Sequence, residues 1–345
     1  MFSSEFLLLS LPHFRVALAE NRNKLSAILT MPATSRFLLA SAACLMVAQA
    51  APAQVAAAYA LADHTTGFVL DSYKGDAKRQ IGSLTKIATV KVVLDWAAKT
   101  NTDLAQGVVV PPLALANAGG VNPMGLQQDD VISYRDLIYS AMLQADNTAA
   151  STLAFYVGSD FRSHGGPELS RLGPIDAFVA QMNALARQLG MERTLFVNPH
   201  GLEPRRGLQP YSTALDLAKL TAYAMKDAGF RFYVSQKERK ISFNRGGHPL
   251  EYLLRNTNVL LGTNGIDGVK TGRTSRAGDC IIISAQREPE VVKQGDSSLV
   301  TPRRVTVVVL GASDRFAAAN SLLPRAWGFY EQWAAAGRPM QRVSR

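Results

Sequence analysis

The chain has 345 residues, 47% of them hydrophobic and 19% charged, with a net charge of +10. That length allows one large domain or two modest ones, and that balance excludes a collagenous, coiled-coil or globally disordered chain. The basic excess suits an anionic partner, but the Lys and Arg residues are scattered without a basic tract, which argues against nucleic acid.

The first segment reads as a targeting signal. Arg36 precedes an apolar run over 37–47, followed by the small-residue sites Ala48-Gln49-Ala50 and Ala51-Pro52-Ala53. A positive start, a short apolar run and an Ala-x-Ala end make a secretory signal peptide, expected here over 31–53. The run is too short to span a bilayer, so no transmembrane segment is expected in the mature chain. Met31 would start such a signal in the usual place, which leaves 1–30 as a mis-called start or a disordered extension. Cys44 leaves with the signal. Cys280 is then alone, so no intrachain disulfide is expected, and its apolar run (Cys280-Ile281-Ile282-Ile283) makes it a buried structural thiol.

Further along, apolar runs at 57–62 and 67–71 flank a polar turn and read as a β-hairpin. Helical spacing follows over 83–98, through Ile87, Val90, Val93, Leu94 and Ala97. The stretch 133–157 is helical with a break near Asp146-Asn147. Amphipathic helices are expected at 174–189 and 212–228, the second capped by Ser212. Strands follow at 241–243, 278–285 and 305–310, and a last helix at 315–335. The segments 158–173 and 289–303 contain Gly, Ser and Pro and read as loops. Strands at both ends with helices between them imply one mixed α/β domain whose sheet joins distant segments.

Chemistry gathers first at Gly82-Ser83-Leu84-Thr85-Lys86. On a helix, positions i and i+3 share a face, which sets the Ser83 hydroxyl beside the Lys86 amine. A serine is a poor nucleophile until a base takes its proton. Lysine can be that base only when burial or a nearby cation keeps it neutral. Alone the pattern is weak, and a solvated lysine at a helix start is the ordinary reading. Lys270-Thr271-Gly272, ahead of a strand, supplies a second cation, a hydroxyl and a glycine for close backbone approach.

With these motifs in place, the chain resembles the low-molecular-mass penicillin-binding proteins, the D-alanyl-D-alanine carboxypeptidase family (serine peptidase family S11). The likeness runs from about Ala57 to Tyr330. It includes Ser83-Leu84-Thr85-Lys86, Asn198-Pro199-His200-Gly201-Leu202, Ser212-Thr213-Ala214-Leu215-Asp216-Leu217, Arg255-Asn256-Thr257-Asn258 and Gly268-Val269-Lys270-Thr271-Gly272. The resemblance implies a β-lactamase/DD-peptidase-like (transpeptidase-like) fold, with an antiparallel sheet flanked by helices and an all-helical lobe. It implies a hydrolase of the periplasm that acts on peptidoglycan stem peptides and is acylated by β-lactam antibiotics, with no cofactor and no metal.

By the same resemblance Ser83 is the nucleophile and Lys86 its base, and Asn147 orients Lys86 and binds the peptide amide. The backbone N–H groups of Ser83 and Arg273 form the oxyanion hole. Lys270, Thr271 and Gly272 hold the substrate, and Arg315 falls where the family places an arginine for the terminal carboxylate. One position departs. The family's middle motif is Ser-x-Asn, whereas here it reads Ala145-Asp146-Asn147. The missing hydroxyl would relay a proton to the leaving amine, and such acid–base help is typically worth about 10²–10⁴-fold. A water or another hydroxyl must replace it, with Thr148 and Ser151 near in sequence, or the protein is a catalytically impaired peptidoglycan binder.

Other readings are weaker. His64, His164, His200 and His248 lack metal-ligand spacing and read as surface or loop residues, against a zinc peptidase. A β-lactamase needs a carboxylate for deacylation, and neither Glu168 nor Glu192 sits in a matching pattern. The residues 54–337 are expected to form a single catalytic domain, followed by a short basic tail over 338–345, with no second β-rich domain. That layout also suits a DD-endopeptidase, which the sequence does not separate from a carboxypeptidase.

Overall fold

A computed structural model describes residues 56–294 and 297–340. The expected signal peptide at 31–53, Cys44 and the end of the basic tail lie outside these residues.

Five strands form the main sheet: β1 (Ala56–Asp63), β2 (Val69–Tyr73), β7 (Ile266–Thr274), β8 (Gly278–Gln294) and β9 (Ser297–Ala312). Their order is β2-β1-β9-β8-β7, and every pairing is antiparallel. The first strand thus lies between its hairpin partner and a strand from the far end of the chain. Helix α9 (Arg315–Ala335) covers one face of this sheet. There Leu61, Ile281, Ile283, Val307 and Val309 pack with Leu322, Trp327 and Trp333. On the opposite face Ala60, Cys280, Ile282, Val308 and Leu310 join the helical core. Burial on both faces explains the unbroken apolar runs, since alternation survives only where one face meets water.

The helical side is built around α1 (Lys86–Thr100), which is buried from Lys86 through Leu94. A helix apolar on all sides belongs inside a protein. The others are α2 (Pro112–Asn117), α3 (Tyr134–Leu143), α4 (Asn147–His164), α5 (Pro167–Ser170), α6 (Pro174–Gln188), α7 (Ala214–Ala224) and α8 (Ala228–Ser235). A second antiparallel sheet, of order β3-β4-β5-β6, joins β3 (Gly107–Val109), β4 (Val131–Ser133), β5 (Glu238–Arg245) and β6 (His248–Arg255). It gives the expected helical lobe a sheet that the sequence reading had not separated.

The break near Asp146 is real, and the Asp146 carboxylate caps α4 by accepting from the Ala149 N–H at 3.1 Å. Three expectations need correction. The cap of α7 is Thr213, not Ser212. The Thr213 hydroxyl accepts from Asp216 N, while the Ser212 hydroxyl bonds Thr194 instead. The segment 158–173 is not a loop: α4 continues to His164 and α5 follows. Nor are the described residues of 289–303 a loop. β8 and β9 run on as a two-stranded ribbon, pairing Glu290 with Thr301, Val291 with Val300 and Val292 with Leu299. Backbone pairing to a partner strand, which composition does not reveal, organises these residues. His64 and His200 lie in turns, in keeping with the loop reading, and both are buried. The His64 Nδ1 bonds Thr306 Oγ1 at 2.9 Å, and burial first, then Arg304, push its pKa down to about 3.

No helix of the described residues is long and apolar enough to cross a membrane. Among them, no three of His, Cys, Asp and Glu gather as metal ligands.

Candidate active site

Ser83 sits on a single 3₁₀ turn (Gly82–Thr85) that leads into α1. Lys86 opens that helix and is fully buried. The Lys86 Nζ lies 3.1 Å from Ser83 Oγ, 2.6 Å from Asn147 Oδ1 and 3.2 Å from the His200 carbonyl oxygen. A neutral amine has two N–H bonds and one lone pair. The two carbonyl oxygens can each take one N–H, which leaves the lone pair to accept the Ser83 proton. Burial first, and then the charge of Lys270, hold the Lys86 pKa well below the lysine range, while Asp146 opposes them. The arrangement therefore suits Lys86 to take the proton of Ser83.

The surroundings keep this geometry. The Asn147 Nδ2 donates to the Ala118 carbonyl at 2.9 Å, so its oxygen is the atom facing Lys86. The His200 ring bridges the Asn117 carbonyl through Nε2 at 2.9 Å and the Leu202 N–H through Nδ1 at 3.2 Å. Those partners require a neutral ring protonated on Nε2, and burial pushes its pKa down to about 3. Asn198 Oδ1 accepts the His200 and Gly201 amides. The turn at 198–202 thereby presents the His200 carbonyl to Lys86. Sequence reasoning read His200 as a surface or loop residue and missed this contact, because a backbone carbonyl leaves no mark in residue type.

β7 closes the other wall. A Cβ on Gly272 would stand 2.9 Å from the Ile81 oxygen and 3.1 Å from the Ser83 nitrogen. Glycine alone lets this strand lie against the serine turn. Lys270 is fully buried, with its Nζ donating to the Thr271 carbonyl at 3.1 Å. The Arg315 guanidinium donates to the Gly272 carbonyl at 2.9 Å and pairs with Asp279 at 2.9 Å, and Arg273 pairs with Asp279 at 3.2 Å. Ser83, Asn147, Thr271, Gly272, Arg273 and Arg315 line one cleft of about 350 Å³, joined by Ala145 and Thr257. A roomier groove of about 750 Å³ beside Trp96 and Asp160 holds none of these groups.

The hydroxyl absent at Ala145 is not replaced by either neighbour in sequence. Thr148 Oγ1 is buried without a hydrogen-bond partner, and Ser151 Oγ bonds Asn117. Neither is among the residues lining the cleft, nor are Glu168 and Glu192. Cys280 is buried, which pushes its thiol pKa up to about 11 and keeps it unreactive.

The burial of Lys270 has a measurable consequence. Burial first, then Arg315, lower its pKa from 10.5 to about 7. Between those values the unfolded chain holds a proton that the folded chain lacks, so stability rises with pH through that window and levels off below it. Lys270→Met is therefore expected to be more stable than the parent at neutral pH, with the gap narrowing as pH rises. Urea unfolding at about pH 7.5 and about pH 9 checks this, a window below the tyrosine range. A gap of equal size at the two pH values would show that Lys270 keeps its proton in the fold.

The comparisons with known proteins point one way. The family model described as D-alanyl-D-alanine carboxypeptidase matches residues 46–294. The chain is 32% identical over 288 residues to the D-alanyl-D-alanine carboxypeptidase DacC of Escherichia coli, covering 81% of this chain and 62% of that protein. It is 32% identical over 225 residues to a D-alanyl-D-alanine endopeptidase of Pseudomonas aeruginosa, covering 64% of each. It thus spans less than two thirds of the length of these two relatives. Among solved structures, the Streptomyces K15 DD-transpeptidase matches with a TM-score of 0.65 at 28% identity, over 81% of this chain and 98% of that one. Penicillin-binding protein D2 of Listeria monocytogenes, in its cefotaxime-bound form, matches with a TM-score of 0.60 at 26% identity, over 79% and 97%.

Proposed function

The chain belongs to the D-alanyl-D-alanine carboxypeptidase family, and from that premise we propose that it is a serine-type carboxypeptidase acting on peptidoglycan stem peptides. The observation that carries this reading is the Ser83–Lys86–Asn147 cluster, with one buried lysine held between two carbonyl oxygens and a serine.

In this reading Ser83 Oγ attacks the carbonyl of the penultimate D-alanine as Lys86 takes its proton. The N–H groups of Ser83 and Arg273 stabilise the developing oxyanion. Thr271 and Arg315 face the terminal carboxylate, and Lys270 lies behind them, where an incoming carboxylate favours its protonated form. The C–N bond then breaks, D-alanine leaves with a proton, and water hydrolyses the acyl-enzyme. Penicillins acylate the same serine. The substrate lies outside the cytoplasm, in keeping with the signal read over 31–53 and a periplasmic catalytic domain from 54. A DD-endopeptidase is the second reading, favoured by the similarity to the Pseudomonas aeruginosa relative.

The test is incubation of the purified chain with a labelled penicillin, followed by intact mass over time. A slowly decaying adduct, absent in Ser83→Ala, is expected. Rapid hydrolysis without a trapped adduct would make the protein a β-lactamase, and neither adduct nor hydrolysis would leave a non-catalytic wall binder. Release of D-alanine from a pentapeptide, compared with cleavage of a crosslinked dimer, separates carboxypeptidase from endopeptidase.

A further inference from the structure

One polar group of the cleft has no part in the mechanism above. Thr257 lines the cleft beside Thr271 and Ala145. Its Oγ1 is 2.6 Å from Thr271 Oγ1 and 3.1 Å from the Leu143 carbonyl oxygen, two residues before Ala145. Its backbone N–H donates to the same Leu143 oxygen at 2.9 Å.

We propose that Thr257 is a second hydroxyl donor for the terminal carboxylate of the ligand, acting beside Thr271. This rests on reading the cleft as a D-alanyl-D-alanine site. Three observations support it. First, the two hydroxyl oxygens stand close to the separation of the two oxygens of one carboxylate, so each can serve one. Each threonine has a single proton. In the free cleft the Thr257 proton goes to Leu143 and the Thr271 proton to Thr257. When a carboxylate enters, both can turn to it. The Leu143 oxygen is not orphaned, because it keeps the Thr257 amide.

Second, this end of the cleft holds cationic side chains, the Arg315 guanidinium always charged and Lys270 charged when protonated. Lys270 is buried next to Thr271, and Arg315 lines the same cleft. Third, the hydroxyl is not needed to brace its own turn. The flanking amides do that: Asn256 Nδ2 donates to the Gln236 carbonyl at 3.0 Å, and Asn258 Nδ2 to the Gly268 carbonyl at 3.1 Å. With Ala145 bare, Thr257 keeps a further hydroxyl beside Thr271 in this cleft.

The experiment compares Thr257→Val and Thr257→Ser with the parent on an N-acylated D-alanyl-D-alanine peptide and on its C-terminal amide. Where the amide turns over too slowly to time, both peptides are used as competitors of penicillin acylation. A hydrogen bond to a charged group is worth enough that Thr257→Val should weaken the acid at least about tenfold. The amide should change by less than about twofold, and Thr257→Ser should keep both within about threefold. Equal losses on acid and amide would make Thr257 a structural brace, and no loss on either would make it a bystander; both overturn the proposal. The parent's own penicillin adduct tests the underlying reading separately.

Discussion

Replacing Lys86 with methionine is expected to slow acylation of Ser83 by about 10²–10⁴-fold, the usual worth of a positioned base. The argument is geometric. Lys86 is the amine in contact with Ser83 Oγ, and two carbonyls occupy its N–H bonds so that its lone pair faces the serine. Methionine fills similar volume without that lone pair. The fold should survive, because the position is buried and an apolar chain there avoids the desolvation that lowers the Lys86 pKa. The rate of penicillin adduct formation, with thermal unfolding measured alongside, checks both halves. Acylation at the parent rate would remove Lys86 from the mechanism.

The second large effect lies outside the motif side chains. Gly201→Ala should destabilise the protein by about 2–4 kcal/mol and cut acylation about 100-fold. Gly201 has φ +87°, in the region that favours glycine. An added Cβ would stand 2.0 Å from the Gly82 carbonyl oxygen and 2.5 Å from Thr85 Oγ1. The serine turn and the turn at 198–202 would have to part. Since His200 presents its carbonyl to Lys86, any parting moves both the base and the nucleophile. Denaturant midpoints and adduct kinetics report the two losses. A stable variant with parent kinetics would show that the two turns separate without disturbing Ser83.

How far the site was legible depends on distance along the chain. Ser83 and Lys86 could be paired from sequence because three residues make one helical turn, a geometry that holds in any fold. The Lys270-Thr271-Gly272 triplet was recognisable as a motif, and Gly272 met its stated purpose as a close approach to the serine turn. Thr257 stood in a quoted motif without a role, since its value depends on Thr271 and Leu143 lying next to it. The ribbon over 289–303 was misread for a related reason. Pro289, Gly295, Ser297, Ser298 and Pro302 look like loop chemistry, and the pairing of β8 with β9 outweighs that local signal.

By itself the sequence determined the local quantities: the apolar runs of the central strands, the short turn that faces serine to lysine, and the glycine that admits a strand. These follow from covalent spacing and side-chain shape, so no distant residue alters them. Only the tertiary structure decided that the Lys86 pKa falls well below the lysine range. That needs burial under α1's neighbours, a second buried cation from β7, and two carbonyl oxygens brought by Asn147 and His200. Desolvation and charge coupling are properties of the assembled interior, where water is excluded and charges interact strongly, and no pattern of residues along a chain contains them.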